Sequence, residues 1–210
     1  MVTDAPLPRV HRVHIGVTGH RKLRDQSADA RTITKTLDDL IGASARRGDA
    51  PIAYTAVSPL AEGADRLVAR VVLTYPGAGL QAVLPLTIDD YLEDFETSES
   101  RHEFRTLLAK SAEPVFLRSR SIATDAGSAR EAAELRRAAY ENVGRYVVDH
   151  CDLLLALWDG QPGRGRGGTK EIIDYAIAQG RAVLRIWDGK CTILGRGAGF
   201  ELSSPIDPND

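Results

Sequence analysis

Short apolar runs alternate with segments of helical period along almost the whole chain. The first run, Val13-His14-Ile15-Gly16-Val17, breaks at Thr18-Gly19, and a helix follows with Ile33, Leu37, Leu40 and Ile41 on one face, ending near Gly48. Residues 52–57 form a second run closed by Ser58-Pro59, and the helix after it carries Leu67, Val68, Val71 and Val72 up to Pro76-Gly77. A third run, 80–84, opens into a polar excursion from Pro85 to Lys110. Two short helices are predicted there from Tyr91, Leu92 and Phe95, then Phe104, Leu107 and Leu108. Val115-Phe116-Leu117 is a fourth strand, and a long helix places Leu135, Ala139, Val143 and Val147 at helical spacing. The fifth run, 152–158, is almost continuously apolar, as a strand covered on both faces must be. A helix with Ile172, Ile173, Ala176 and Ile177 and a sixth strand, 182–187, complete the series.

Strands alternating with helices imply right-handed crossovers and a parallel sheet sandwiched between helices. The predicted fold class is therefore α/β, a Rossmann-like three-layer sandwich with a mostly parallel, roughly six-stranded sheet. One domain over residues 1–210 is expected, with its core at about 12–187, a glycine-rich C-terminal tail beyond Trp187, and residues 203–210 as its frayed end. Segment 118–130 is the best candidate for a mobile loop.

Composition changes this picture little. The 210 residues are 43% hydrophobic and 27% charged, ordinary globular values. A net charge of −2 gives no basic surplus for a phosphate backbone, which argues against nucleic acid as a partner. The first twelve residues lack a leader-like apolar run, and no stretch reaches membrane-spanning length, so a cytoplasmic protein without membrane contact is expected. Cys151 and Cys191 read as reduced structural residues. The five histidines show no metal spacing, and no metal or cofactor is expected.

In an open α/β sheet, ligands bind beyond the carboxyl ends of the strands, so the chemistry is sought in the loops there. Three stand out. Gly16-Val17-Thr18-Gly19-His20-Arg21 follows the first strand; its glycines permit close approach, Thr18 offers a hydroxyl and Arg21 a guanidinium fork for phosphate or carboxylate. The alternative is a plain strand-to-helix turn. Ser58-Pro59-Leu60-Ala61-Glu62-Gly63-Ala64-Asp65 follows the second strand. Gly63 and Ala64 are small where a helix begins, and Glu62 and Asp65 could accept from ribose hydroxyls or a base edge. Asp65 could equally be a first-turn acid complementing the helix dipole. The third loop, 158–171, combines Asp159, several glycines and two arginines with Gly167-Gly168-Thr169 opening a helix, a potential nest of N–H groups for phosphate. Its alternative is a solvated surface loop. Trp158 reads as a cap on a buried strand, placed where it could also stack on a base.

The order Gly168-Thr169-Lys170 is not that of a P-loop, Gly-x-Gly-x-x-Gly is absent after the first strand, and no Gly-x-Ser-x-Gly elbow occurs. Neither an NTPase, an ordinary NAD dehydrogenase nor a serine hydrolase has an anchor.

At the three loops the chain resembles the SLOG superfamily, which joins the DNA-processing protein DprA/Smf and the LOG phosphoribohydrolases. Ser58-Pro59-Leu60-Ala61-Glu62-Gly63-Ala64-Asp65 is similar to the Ser-Gly-Leu-Ala-x-Gly-Ile-Asp signature of the DprA branch. Val17-Thr18-Gly19-His20-Arg21 resembles the Val-Gly-Ser-Arg turn before it. Gly167-Gly168-Thr169-Lys170-Glu171 resembles the Gly-Thr-x-x-Glu motif of the LOG branch. The resemblance spans about residues 12–187 and implies a Rossmann-like fold that recognises nucleotides or their derivatives, often as a sensor in bacterial signalling or defence. It also implies a catalytic glutamate in the enzymatic branch, but the family position falls on Ile172, with Glu171 one residue early. One residue is about 100° around a helix.

The leading expectation is thus a nucleotide-binding module. Phosphates would lie on Thr18–Arg21 and Gly167–Thr169, and Glu62 and Asp65 would read ribose or base. An N-glycoside hydrolase or transferase using Glu171 is the second expectation, DprA-like DNA binding a weaker third. A homodimer or larger homo-oligomer is a further possibility.

Overall fold

The structure, a computed structural model, describes residues 10–161 and 168–197. Its strands are β1 (His11–Gly19), β2 (Ile52–Ser58), β3 (Gly79–Leu84), β4 (Val115–Phe116), β5 (Leu153–Leu157), β6 (Ala182–Trp187) and β7 (Lys190–Gly195). The helices are α1 (Gln26–Arg47), α2 (Ala64–Val72), α3 (Ile88–Leu92), α4 (Ser98–Leu108), α5 (Ile122–Asp125), α6 (Ala129–Asp149) and α7 (Thr169–Ala178). The strands form one sheet in the order β4-β3-β2-β1-β5-β6-β7, parallel throughout except for β7. This is the Rossmann-like α/β sandwich expected from the strand–helix alternation.

The chain steps outward from β1 to β4 in one direction, returns along α6, and steps outward from β5 to β6 in the other. The reversal falls between β1 and β5, whose carboxyl ends pair as Thr18 with Ala156 and Gly19 with Leu157. Parallel strands buried on both faces need apolar side chains all along them, and β5, Leu-Leu-Leu-Ala-Leu, is buried at every position. Alternation then divides the core. Val13, Ile15, Val17, Leu153, Leu155 and Leu157 pack under α1 to α4, while Leu154, Ala156 and Val183 meet α6 and α7. Cys151 is buried on that second side, and burial pushes its thiol up to about 12, which keeps it an unreactive packing group.

Two segments hold elements that the hydrophobic pattern does not announce. The chain past Trp187 continues the sheet: Asp188 and Gly189, both at positive φ (54° and 75°), turn it into β7, whereas residues 203–210, expected to fray, lie outside the described residues. A two-residue loop with both φ values positive matches the twist of a hairpin, and Asp-Gly is a preferred sequence for it. Asp29, buried on α1, accepts from the Gly189 N–H at 3.0 Å and ties the turn down. Segment 118–130 holds α5, whose first residue, Ile122, donates its N–H to Asp90 at 3.0 Å.

Helix starts follow a pattern. Asp25, Thr87, Thr97, Ser121 and Ser128 each accept a backbone N–H through the side chain at the starts of α1, α3, α4, α5 and α6. Helices α2 and α7 begin at Gly63 and Gly168 with no side-chain cap.

Candidate functional site

The carboxyl ends of β1, β2 and β5 are drawn together by backbone contacts. His20 donates its N–H to the Leu157 carbonyl at 3.0 Å, and Ala64 donates to the His20 carbonyl at 3.1 Å. Gly63 sits at φ +76°, and a Cβ there would collide with the carbonyl oxygens of His20 and Arg21. At Gly19 a Cβ would lie 2.5 Å from the Leu157 carbonyl oxygen and 2.6 Å from the Ala64 Cβ. The small residues Gly19, Gly63 and Ala64 therefore let three strand ends meet. Leu60, fully buried at φ +62°, is part of the same junction. Its N–H donates to the Ser58 hydroxyl at 3.1 Å and its carbonyl accepts from Arg66 Nε at 3.0 Å. Such contacts hold a non-glycine residue in the left-handed region.

Two groups of side chains flank this junction. On the β5 side, His20 Nε2 is 3.0 Å from the Asp159 carboxylate. The Gln161 N–H and then His20 hold that carboxyl below its ordinary range. The Trp187 ring meets His20 edge-on at 5.2 Å. Trp158 is held by its indole N–H on the Gln161 carbonyl at 2.7 Å, and Arg185 Nε donates to the Trp158 carbonyl at 2.8 Å. Gly168 and Thr169 open α7 on this side, whereas Gly167 lies outside the described residues. Thr18 is the penultimate residue of β1, on the face shared with α6 and α7.

Glu171 is exposed on the first turn of α7, while Ile172 is buried against α6, where a Cβ at Gly144 would come 2.5 Å from its Cδ1. The one-residue displacement noted in the sequence thus puts the apolar residue in the core and the carboxylate at the surface.

On the β2–β3 side, Arg21 reaches toward the α3–α4 insertion. Its Nη2 is 3.5 Å from Asp94 Oδ2, and its guanidinium lies 5.9 Å from the centre of the Tyr140 ring. Arg136 from α6 pairs with the same Asp94 and with Glu93 at 3.3 Å. Asp65, the second residue of α2, is 7% exposed and accepts the Ala61 N–H at 3.1 Å. Burial pushes its carboxyl up to about 7, against the opposing pull of the Ala61 N–H, Arg21 and Arg66. Asp94 is raised as well, burial outweighing Arg136 and Arg21. Tyr91 is fully buried, and the charges acting on its hydroxyl include those of Asp65, Arg21, Asp94 and Arg66.

Glu62 does not join this group. It accepts from the Ser100 hydroxyl on α4. Arg66, 2% exposed, donates to the Ser100 carbonyl at 2.9 Å and to Glu103 at 3.1 Å, with the Phe95 ring 4.5 Å beneath it. Glu62 and Arg66 thereby anchor the insertion that supplies Tyr91 and Asp94. The sequence reading had Tyr91 as an apolar helix position and did not single out Asp94, Arg136 or Tyr140. Tyr91 and Asp94 share one local signal, the Asp-Tyr-x-x-Asp stretch 90–94 in the insertion after β3, whereas Arg136 and Tyr140 have none.

A cavity of about 820 Å³ opens at the opposite, amino end of the strands, lined by His11, Arg47, Asp152 and Arg181 among others. Open α/β sheets do not place ligands at that end, and His14 already pairs with Asp152 there at 3.3 Å. Among the described residues no group of three or more histidine, cysteine or acidic side chains is placed to hold a metal ion, and no helix is long and apolar enough to cross a membrane.

Fold and site together define a doubly wound α/β domain with charged and aromatic side chains gathered around its topological switch point. In comparisons with known proteins, no family model matches the chain and no curated protein is significantly similar to it.

Proposed function

We propose that the protein binds a nucleotide or nucleotide-derived ligand across the carboxyl ends of β1 and β5, acting as a sensor module. The observation that carries this reading is the pattern of helix caps. Among the described residues five helices have side-chain caps and two, α2 and α7, do not; the start of α2 is closed by the His20 carbonyl, which accepts the Ala64 N–H, so the uncapped start left to face a ligand is that of α7 at Gly168, beyond the carboxyl end of β5. An uncapped helix start offers backbone N–H groups and the positive end of the dipole to an anion. Gly168 and Thr169 would receive phosphate, and Asp65 would face the rest of the ligand. The resemblance of the three loops to the SLOG superfamily supports the same reading independently.

A panel of nucleoside mono- and diphosphates and cyclic nucleotides, screened by thermal shift, tests it. A ligand selective for the folded state at a hundred times its Kd adds about 2.7 kcal/mol, which for a chain of this size is roughly 5–10 °C in Tm. No shift across the panel at millimolar concentration refutes the proposal.

One observation favours an N-glycoside hydrolase or transferase as the second reading. Asp65 is a buried carboxyl with a pKa near neutrality at the start of α2, the condition a general acid or base requires. On this reading Asp65, rather than the exposed Glu171, does the proton transfer, and the same nucleoside monophosphate samples would release free base.

A further inference from the structure

Beneath Arg21 the site contains more polar groups than the protein satisfies. The Tyr91 and Tyr140 hydroxyls are buried with no hydrogen-bond partner among the described residues, and Asp94 Oδ2 beside them is buried with only the 3.5 Å ion pair to Arg21. They come from α3, from α6 and from the segment just beyond α3, and they converge: the Tyr91 and Tyr140 rings are 6.3 Å apart and Arg21 lies over Tyr140 and against Asp94. Buried polar atoms are nearly always paired in folded proteins, so two unpartnered phenol hydroxyls beside one arginine–carboxylate pair call for an explanation specific to that place.

The charges decide what kind of group would satisfy them. Each guanidinium nearby already has a carboxylate: Arg21 has Asp94, Arg136 has Glu93 and Asp94, and Arg66 has Glu103. A phosphate here would compete with those carboxylates and face Asp65. A cation would face Arg21 and Arg136. A base would need an open aromatic face, but the Tyr91 ring is enclosed edge-on by Phe95 and Phe104 at 5.1 and 5.6 Å. What remains is a neutral group that both donates and accepts at two adjacent atoms. Carboxylates accept from hydroxyls, and phenols donate to them or accept from them.

We infer that the polar cluster formed by Tyr91, Asp94 and Tyr140 beneath Arg21 is a subsite for a vicinal diol, the unsubstituted ribose of the ligand. This rests on the nucleotide reading above and adds to it that the protein selects ribonucleotides over deoxyribonucleotides. A site built to hydrogen-bond a hydroxyl discriminates strongly against the analogue lacking it, because its own polar groups are then left unpaired.

The test measures Kd by calorimetry for the four ribonucleoside 5′-monophosphates, their 2′-deoxy counterparts and ribose 5-phosphate, using the full chain and its Tyr91→Phe and Tyr140→Phe variants. Both substitutions keep the ring and remove only a hydroxyl, and circular dichroism verifies the fold. The expected result is at least one ribonucleotide binding about tenfold or more tightly than its 2′-deoxy form. Tyr91→Phe should close that gap to within about threefold, with Tyr140→Phe narrowing it less. Equal binding of the ribo and deoxy forms, or a gap that both variants leave intact, overturns the diol subsite while leaving nucleotide binding standing. Failure of every probe to bind overturns both.

Discussion

The buried carboxyl of Asp65 makes stability depend on pH in a direction opposite to that of an ordinary surface acid. Its pKa rises from 3.8 to about 7 on folding. Between those values the unfolded chain has released the proton while the folded protein keeps it, so the folded state binds more protons and loses stability as pH rises. The contribution is fully present below about pH 4 and is lost as pH climbs through 7. At 1.36 kcal/mol per unit the whole effect is about 4 kcal/mol, an upper bound for a residue with Arg21 and Arg66 nearby. Asp65→Asn keeps the shape and the acceptor for the Ala61 N–H but never ionises. Relative to the parent, the variant should therefore gain about 2–3 kcal/mol on going from pH 5 to pH 8, because only the parent must bury a charge at the higher pH. Urea denaturation at the two pH values, followed by the fluorescence of Trp158 and Trp187, measures this directly. A difference between variant and parent that stays flat with pH, or shrinks towards pH 8, would mean that Asp65 ionises normally in the folded protein and would remove the basis for its general acid–base role.

Much of the scaffold was legible in the sequence because burial on both faces writes itself as apolar runs: β5 is the clearest case, and six of the seven strands were predicted. The seventh was signalled by Asp188-Gly189, but the glycine and proline content of the following residues outweighed that dipeptide. At the site, local chemistry was readable and tertiary convergence was not. Gly19, Gly63 and Ala64 stood out as small residues suited to close approach, yet what approaches them is the backbone of neighbouring strand ends. Tyr91 in the insertion is more than forty positions from Arg136 and Tyr140 on α6, and helical spacing alone cannot tell a buried aromatic that only packs from one whose hydroxyl matters. Glu62 and Asp65, three residues apart on one motif, look equivalent in sequence. Their roles separate because Ser100 on α4 reaches one, while burial at the start of α2 enfolds the other.

Tyr91→Phe removes a fully buried hydroxyl that has no partner, so stability in urea should stay constant or rise by up to about 1 kcal/mol. A loss of about 1 kcal/mol or more would show that the hydroxyl is bonded in the folded protein. Gly63→Ala should do the reverse, through the backbone. At φ +76° and ψ −114° a side chain is strained, and the new Cβ would also press on the carbonyls of His20 and Arg21, one of which accepts the hydrogen bond that starts α2. Backbone strain of this kind costs about 1–3 kcal/mol before the collision is counted. Relief requires the β1 and β2 ends to separate, so the variant should lose about 3 kcal/mol or more in urea and lose binding of any nucleotide that stabilises the parent. A Gly63→Ala protein with the parent's stability would refute the close junction of the strand ends, and with it the placement of Arg21 over Tyr140 and against Asp94.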